Sequence, residues 1–209
     1  MIALFVSAFV TLFVVLDPPG CVPIFSSLTS GGGAGYRRSM AWRSTAIAAG
    51  VLLLFGLFGE DFLTTLGITL PAFKLAGGIM VFLIAIDMVF ETRTQRREER
   101  ANSVSRATEE PTDISVFPMA IPMIAGPGSI AAVMLLMAKA RGLEASLTVL
   151  AALGAVLLVM LGALLAAGPL MRLMGDKIEA MITRLLGVIL AALAAQFVID
   201  GIRESFHLA

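Results

Sequence analysis

Apolar residues run along this chain in six long stretches, and short groups of charged or turn-forming residues separate them. The stretches cover residues 2–28, 44–59, 72–90, 114–138, 147–168 and 184–200. The fifth includes 21 residues without a charge, from Leu147 to Ala167. Because about 20 apolar helical residues cross the hydrocarbon core of a bilayer, the pattern predicts an all-α membrane protein with six transmembrane helices.

The first stretch is interrupted near its middle by a helix-breaking sequence. It reads Leu16-Asp17-Pro18-Pro19-Gly20-Cys21. Proline stops the preceding helix because it lacks an N–H and its ring clashes with the turn before it. Neither half is long enough to span the membrane alone, so the first crossing is predicted to be one discontinuous helix with its break at mid-membrane.

The fourth stretch contains a matching interruption and is predicted to be discontinuous as well. It reads Ala125-Gly126-Pro127-Gly128-Ser129. A single offset of 108 residues places Asp17 on Ala125, Gly20 on Gly128 and Cys21 on Ser129. Each half carries three crossings, and an odd number means that the halves insert in opposite senses. The sequence thus predicts two inverted three-helix repeats, residues 1–90 and 114–209, joined by a linker at 91–113.

Charge is scarce and concentrated in that linker. Hydrophobic residues make up 58% of the chain, and its 15 basic and 15 acidic residues cancel, so the composition gives no support to nucleic-acid binding. Residues 91–113 hold 11 of these charges, with both signs mixed. This composition favours a solvated linker, although a partner-binding segment is the alternative.

The basic residues indicate how the chain is oriented, because loops rich in Lys and Arg stay in the cytoplasm. The two sides of the six crossings carry eleven and four basic residues. The side with four holds Lys74, Lys139, Arg141 and Arg203. Both termini are therefore predicted outside and the linker inside, in a bacterial inner membrane or an archaeal plasma membrane.

The two breaks are the candidate binding site. A broken helix leaves carbonyl and N–H groups without helical partners, and in a membrane such groups must line a protein or water-filled cavity. Helix N-termini attract anions and C-termini attract cations, so two facing breaks suit the carboxylate and ammonium of an amino acid. The candidate binding residues are Leu16, Asp17, Gly20, Cys21, Ala125, Gly126, Gly128, Ser129 and Gln196, with Pro18, Pro19 and Pro127 as helix breakers.

Each of these assignments has a plainer alternative. The prolines could form two kinks used for packing. Asp17 could face the cavity, since a carboxylate at this depth is costly, or could cap the second half-helix, and the two roles are compatible. Cys21 could be a small apolar residue, and Gln196 could reach the cavity or join two helices. Gly77, Gly78 and Gly187 are assigned to close helix packing.

The sequence contains few of the residues that catalytic and metal sites need, with one His and one Cys. The only histidine is His207, at the end of the chain, so a Ser/His/Asp constellation is not expected. No group of His, Cys, Asp and Glu has the spacing of metal ligands. We therefore expect neither an enzyme nor a bound metal or cofactor.

The motifs resemble those of the MarC family of six-span membrane proteins. The resemblance covers nearly the whole chain. It rests on Leu16-Asp17-Pro18-Pro19-Gly20 with Pro23-Ile24-Phe25, on Phe117-Pro118-Met119-Ala120-Ile121-Pro122 before the second break and Ile130, and on Gly77-Gly78-Ile79. The chain departs from the family at Pro19, where an aliphatic residue is expected, and the double proline stiffens the first break.

The resemblance implies a relation to the small neutral amino acid transporters of that family, which move glycine and alanine through discontinuous first and fourth helices. It agrees with the helix-dipole argument. We therefore predict a secondary transporter of glycine, alanine and, as a further candidate, serine, with a proton as coupling ion and Asp17 as the group that binds it. Membrane lipid is a further partner, homo-oligomerisation is left open, and a channel or passive facilitator for a small polar solute is the alternative.

Overall fold

Helices account for nearly all of the structure, a computed structural model that describes residues 1–90 and 113–206, apart from the side chains of 173–177 and 179. No strand occurs among these residues. The α-helices are α1 (Ile2–Leu16), α2 (Pro18–Leu28), α3 (Ala34–Thr65), α4 (Leu70–Val89), α5 (Pro127–Lys139), α6 (Leu143–Leu165) and α7 (Ala167–Ser205). The linker 91–113, apart from Asp113, and His207 lie outside the described residues.

The prediction of a helical membrane protein is confirmed. Five helical segments are long and apolar enough to cross a bilayer: Ile2–Leu28 across the first break, Ala34–Thr65, Leu70–Val89, Leu143–Leu165 and Ala180–Ser205. A sixth crossing exists if Ser115–Ile124 and Pro127–Lys139, which meet at an angle of 54°, are counted as one bent span. The described residues therefore contain five or six candidate crossings.

The segment Ser115–Ile124 differs from the regular half-helix that its apolar residues predicted. Phe117 and Ile121 have extended backbone, with φ of −125° and ψ of 129° and 124°. Each precedes a proline, Pro118 or Pro122, and a residue before proline is driven out of the α conformation. The expectation of an α-helix over 114–124 is wrong because Pro118 and Pro122 impose extended backbone on the residues before them, even though the segment is apolar.

The last helix is also longer than the sequence indicated. The stretch between residues 168 and 184 was predicted to connect two crossings, yet α7 is continuous from Ala167 to Ser205. Pro169 does not interrupt it because a proline in the first turn removes an N–H that has no helical acceptor. The membrane-length part of α7 begins only at Ala180.

Two helices, α4 and α7, form the most extensive contact of the bundle, and glycines let their backbones touch. A Cβ at Gly78 would lie 2.9 Å from the backbone N of Val198, and one at Gly201 would lie 2.8 Å from the backbone N of Leu75. A Cβ at Gly187 would lie 3.2 Å from the Ala85 carbonyl oxygen. The assignment of Gly78 and Gly187 to close helix packing is thus confirmed.

Ion pairs lie at both ends of the bundle. At the end where α3 begins, Arg43 Nη2 lies 2.6 Å from Asp113 Oδ2, and hydrogen bonds donated by Ser115 hold the pKa of Asp113 below its ordinary value. At the end where α4 begins and α7 finishes, Lys74 pairs with Glu204 and Lys139 pairs with Asp200. The broken segments run between these two layers.

Candidate functional site

The first break is a single residue wide. Helix α1 ends at Leu16, α2 begins at Pro18, and Asp17 between them has φ of 57° and ψ of 63°. Aspartate is among the few residues that enter this left-handed region readily. The side chain of Asp17 is buried, and its Oδ1 accepts a hydrogen bond from Gly20 N at 3.1 Å. The proposed capping role of Asp17 is therefore confirmed.

Gly20 has a steric role in this cap. A Cβ at Gly20 would lie 2.2 Å from Asp17 Oδ2, so any larger residue would displace the carboxylate. Pro18 fills the first helical position, where its missing N–H is tolerated, and Cys21 N donates to Asp17 O at 3.1 Å. The local sequence thus builds a helix start that carries its own side-chain acceptor.

The second break starts its helix in a different way. Gly126 is the N-cap of α5, with extended backbone, and it has no side chain that could cap the helix. The first helical bond runs from Ile130 N to Gly126 O at 3.0 Å, which places the amides of Gly128 and Ser129 in the uncapped first turn. This helix N-terminus has a partial positive charge without a carboxylate of its own.

Glycines also keep the second break compact. A Cβ at Gly126 would lie 2.5 Å from the Pro122 carbonyl oxygen, and one at Gly128 would lie 2.1 Å from Cδ1 of Ile84 on α4. The first contact is with backbone, which cannot easily yield. The second is with the end of a flexible side chain. Space at the α5 N-terminus is therefore limited to small groups.

Most of the predicted site residues are buried in the core. Leu16, Cys21 and Ala125 belong to one continuous buried cluster, together with Ile24 and Ile124. Helix α1 packs against α5, and α2 packs against Ser115–Ile124. Gly20, Gly126, Gly128 and Ser129 are buried as well, whereas Pro19 is half-buried and Pro127 is exposed.

Gln196 belongs to a different environment. It is exposed on α7, and its Nε2 donates to Asp200 Oδ1 at 2.7 Å. Asp200 also pairs with Lys139, whose ammonium lies 4.9 Å from the ring centroid of Phe197. The geometry thus gives no support to the expected cavity role of Gln196. Its alternative role of joining helices is indirect, because Gln196 binds Asp200, and Asp200 pairs with Lys139 on α5. Sequence reasoning missed this cluster, although Lys139 and Asp200 stand out as charges at the ends of apolar stretches.

An apolar crevice of about 150 Å³ adjoins the first break. Pro18 and Pro19 form part of its wall, and every lining residue is apolar. The lining residues are Phe13, Pro18, Pro19, Val22, Pro23, Val159, Ala163, Leu170 and Met171. Nothing in such a wall would hold a zwitterion, so the polar chemistry of the site lies at the helix ends. In the described part of the chain, no three His, Cys, Asp or Glu residues come close enough to hold a metal ion.

Known proteins match the chain over almost its full length. The model of the MarC family integral membrane protein matches residues 2–206. The chain belongs to the MarC family. A UPF0056 membrane protein of Methanocaldococcus jannaschii, MJ1677, is 38% identical over 95% of this chain and 96% of its own. The inner membrane protein YhgN of Escherichia coli K12 is 35% identical over 95% of each chain. YvbG of Bacillus subtilis is 32% identical over 99% of this chain and 97% of its own.

These MarC family relatives are named as membrane proteins, and the name of the Escherichia coli protein places that protein in the inner membrane. None of the three names gives a substrate. No solved structure matches the chain. Membership of the family and an integral membrane location are therefore established.

The cap at Asp17 gives a prediction about stability. Asp17→Ala removes the acceptor and puts alanine in the left-handed region, so it should lower the free energy of unfolding by about 2 kcal/mol. Asp17→Asn keeps an acceptor and tolerates this backbone, so the loss should stay below about 0.5 kcal/mol. Thermal unfolding in detergent measures both, with Gly20→Ala expected to behave like Asp17→Ala. Equal losses for the asparagine and alanine variants would contradict the capping role.

Proposed function

We propose that this MarC family protein is a secondary transporter of small neutral amino acids that works by alternating access. The observation that carries the proposal is the contrast between the two helix starts. Helix α2 is capped by the carboxylate of Asp17, whereas α5 starts at Gly126 without a side-chain cap. A substrate carboxylate therefore finds one N-terminus already occupied and the other available.

The substrate carboxylate is proposed to bind at the first turn of α5. The amides of Gly128 and Ser129 point toward the positive end of the helix dipole, and backbone N–H groups at a helix N-terminus suit an anion. Ser129 adds a hydroxyl in the same buried turn, where the residue is 3% exposed. The residues of this turn thus offer several donors to one carboxylate.

The substrate ammonium is proposed to bind at the C-terminal end of α1. The last carbonyls of a helix carry the negative end of its dipole, and Leu16 is the last residue of α1. Asp17 adds a full negative charge directly beside it. An ammonium group placed here would interact with carbonyl oxygens and with a carboxylate.

Crowding around both breaks supports a small substrate. Gly126 and Gly128 have no room for a Cβ without displacing Pro122 O or Ile84, and Ala125 is almost fully buried. A substrate side chain larger than a methyl or hydroxymethyl group would need space that the packed core lacks. Glycine, alanine and serine are therefore the proposed substrates.

The paired packing of the helices supports two inverted repeats with discontinuous first and fourth crossings. If residues 1–90 correspond to 114–206, α1 and α2 correspond to Ser115–Ile124 and α5. Helix α1 packs on α6, as Ser115–Ile124 packs on α3, and α2 packs on α7, as α5 packs on α4. At the α4–α7 contact, a Cβ at Gly78 would lie 3.1 Å from Ala194 O and one at Gly187 would lie 3.2 Å from Ala85 O, a reciprocal arrangement in which both the glycines and the alanines are 109 residues apart. This crossed pattern is typical of halves related by a two-fold axis.

We propose that a proton is the coupling ion and that Asp17 binds it. Asp17 is buried between two half-helices, and among the described residues it is the only acidic residue in either break. Carboxylates within a membrane commonly act in proton pathways. Protonation would weaken the electrostatic attraction of Asp17 for both the α2 N-terminus and a substrate ammonium.

We further propose that both termini lie outside and that the 91–113 linker is cytoplasmic. This orientation rests on the division of basic residues between the two ends of the bundle. Two observations support that division: Lys74 and Lys139 lie at one end, and Arg43 pairs with Asp113 at the other. A reporter fused after Ala209 that is active only outside the cytoplasm is the expected result. Activity of a reporter that works only in the cytoplasm would contradict it.

Counterflow into liposomes tests the transport function. Purified protein reconstituted with unlabelled glycine inside should take up labelled glycine transiently, and alanine and serine should compete while leucine and lysine should not. Counterflow requires a carrier, because a channel for a small polar solute would equilibrate the label without this overshoot. Absence of saturable uptake for all three amino acids would contradict the proposal.

Two variants sharpen this experiment. Gly128→Ala adds a methyl group at the α5 N-terminus and should reduce the uptake rate at least about tenfold, because one methyl group in a close-fitting site changes binding by about this factor. The matched control is Gly154→Ala, because a Cβ at Gly154 would meet open space. Asp17→Asn should retain counterflow but lose accumulation driven by a proton gradient. Gradient-driven uptake that survives in Asp17→Asn would remove Asp17 from the coupling step.

A further inference from the structure

An apolar layer and a layer of ion pairs lie between the breaks and the end of the bundle where α1 begins and α5 finishes. The apolar layer contains fully buried side chains of the two half-helices that run between this end and the breaks: Ala8 and Leu12 on α1, and Ala132 and Leu135 on α5. Beyond it lie the two ion pairs Lys74–Glu204 and Lys139–Asp200. The structure is therefore closed between the breaks and this end, which we call the Lys139 end.

The first ion pair lies within a rigid unit. Lys74 Nζ lies 2.7 Å from both carboxylate oxygens of Glu204, and the lysine side chain is only 6% exposed. This pair joins α4 to α7 beside Gly201, where the two backbones are in direct contact. Helices packed at backbone distance cannot separate without losing many contacts. The Lys74–Glu204 pair thus reinforces a contact that is fixed by packing.

The second ion pair joins α5 to α7, whereas the packing of α5 in this unit is mainly against α4. Lys139 is the last residue of α5, and Asp200 lies on α7. These two helices make little backbone contact within the described residues. Lys139 holds Asp200 by an ion pair and Phe197 by a cation–π contact, while Gln196 supports the Asp200 carboxylate. The C-terminal end of the helix that starts at the second break is thus tied to α7 by side chains of one small cluster.

We propose that the Lys139–Asp200 pair is the latch that closes the transport pathway at the Lys139 end. The proposal rests on the transport function inferred above. With the pair formed, α5 stays against the α4–α7 unit and the breaks are shut off from this end. With the pair broken, α5 moves away from α7 and a path opens through the apolar layer to the first turns of α2 and α5.

Cys21 is a built-in reporter for this movement. It is the only cysteine of the chain, it lies in the first turn of α2, and it is fully buried. Opening toward the Lys139 end should expose its thiol to a membrane-impermeant maleimide added on that side. The rate of modification therefore measures opening, and no substrate is needed.

The test compares modification rates in right-side-out and inside-out vesicles. Asp200→Asn removes the charge but keeps an acceptor for Gln196, and it should raise the rate from the Lys139 side by about fivefold or more, the factor that corresponds to losing about 1 kcal/mol of attraction. Lys139→Gln breaks the same pair from the other helix and should give the same rise. The exchange Lys139→Asp with Asp200→Lys should restore slow modification.

A matched control uses the other ion pair. Glu204→Gln breaks the pair inside the α4–α7 unit, so the modification rate of Cys21 should stay at the wild-type value in protein that remains folded by size exclusion. A second reporter, Ser129→Cys in a Cys21→Ser background, should show the same dependence on Asp200, because it lies in the first turn of α5.

The latch is overturned if both single variants, folded, leave the two reporters at the wild-type rate, or if the charge exchange fails to restore protection. Its failure is distinguishable from failure of the proposed function. Faster modification without glycine counterflow would support the latch and reject the amino-acid substrate. Glycine counterflow with unchanged modification would support the substrate and reject the latch.

Discussion

Backbone polar groups at a helix break within a membrane must find partners, and the rest of this structure depends on how that constraint is met. An unsatisfied N–H or carbonyl in hydrocarbon costs several kcal/mol. At the first break, Asp17 adopts a left-handed backbone conformation and its carboxylate accepts the hydrogen bond of Gly20 N. Gly20 lacks a side chain and so leaves space for that carboxylate. Most residues of both breaks are buried against other helices, with Pro127 exposed and Pro19 half-buried.

The two breaks meet the same constraint in unequal ways, because only the first has a side-chain cap. The first carries a carboxylate where the second has Ala125, the residue 108 positions later. One half-helix therefore begins with its positive end occupied, and the other begins at Gly126 without a side-chain cap. In the proposed function, this inequality orients the zwitterion, with its carboxylate at α5 and its ammonium at α1, whereas a symmetric pair of breaks would favour no particular orientation.

Much of the fold and part of the site could be predicted from the sequence. Long apolar stretches sufficed for the spans, because a bilayer fixes their length, and the proline-glycine sequences located both breaks. The offset of 108 residues predicts two inverted halves, and that pairing stays a prediction. The cap at Asp17 followed from residue chemistry alone, since Asp before a proline-started helix is a common N-cap.

Other features depended on competition between effects that sequence reasoning weighed wrongly. Residues 114–124 are apolar enough for a helix, but Pro118 and Pro122 impose extended backbone on the residues before them. The long α7 showed that charges such as Arg172 do not end a helix, although they do bound its membrane part. The ion pair between Lys139 and Asp200 could not be found from spacing, because the two residues lie 61 positions apart in the chain.

The central claim is that both charged ends of one small amino acid are recognised by the two breaks. The most direct measurement is the melting temperature of the purified protein with glycine, with methylamine, which lacks the carboxylate, and with acetate, which lacks the amine. A ligand present at 100 times its Kd adds about 2.7 kcal/mol of stability. Glycine should raise the melting temperature while neither fragment does so at the same concentration. Equal stabilisation by glycine and methylamine would contradict the claim.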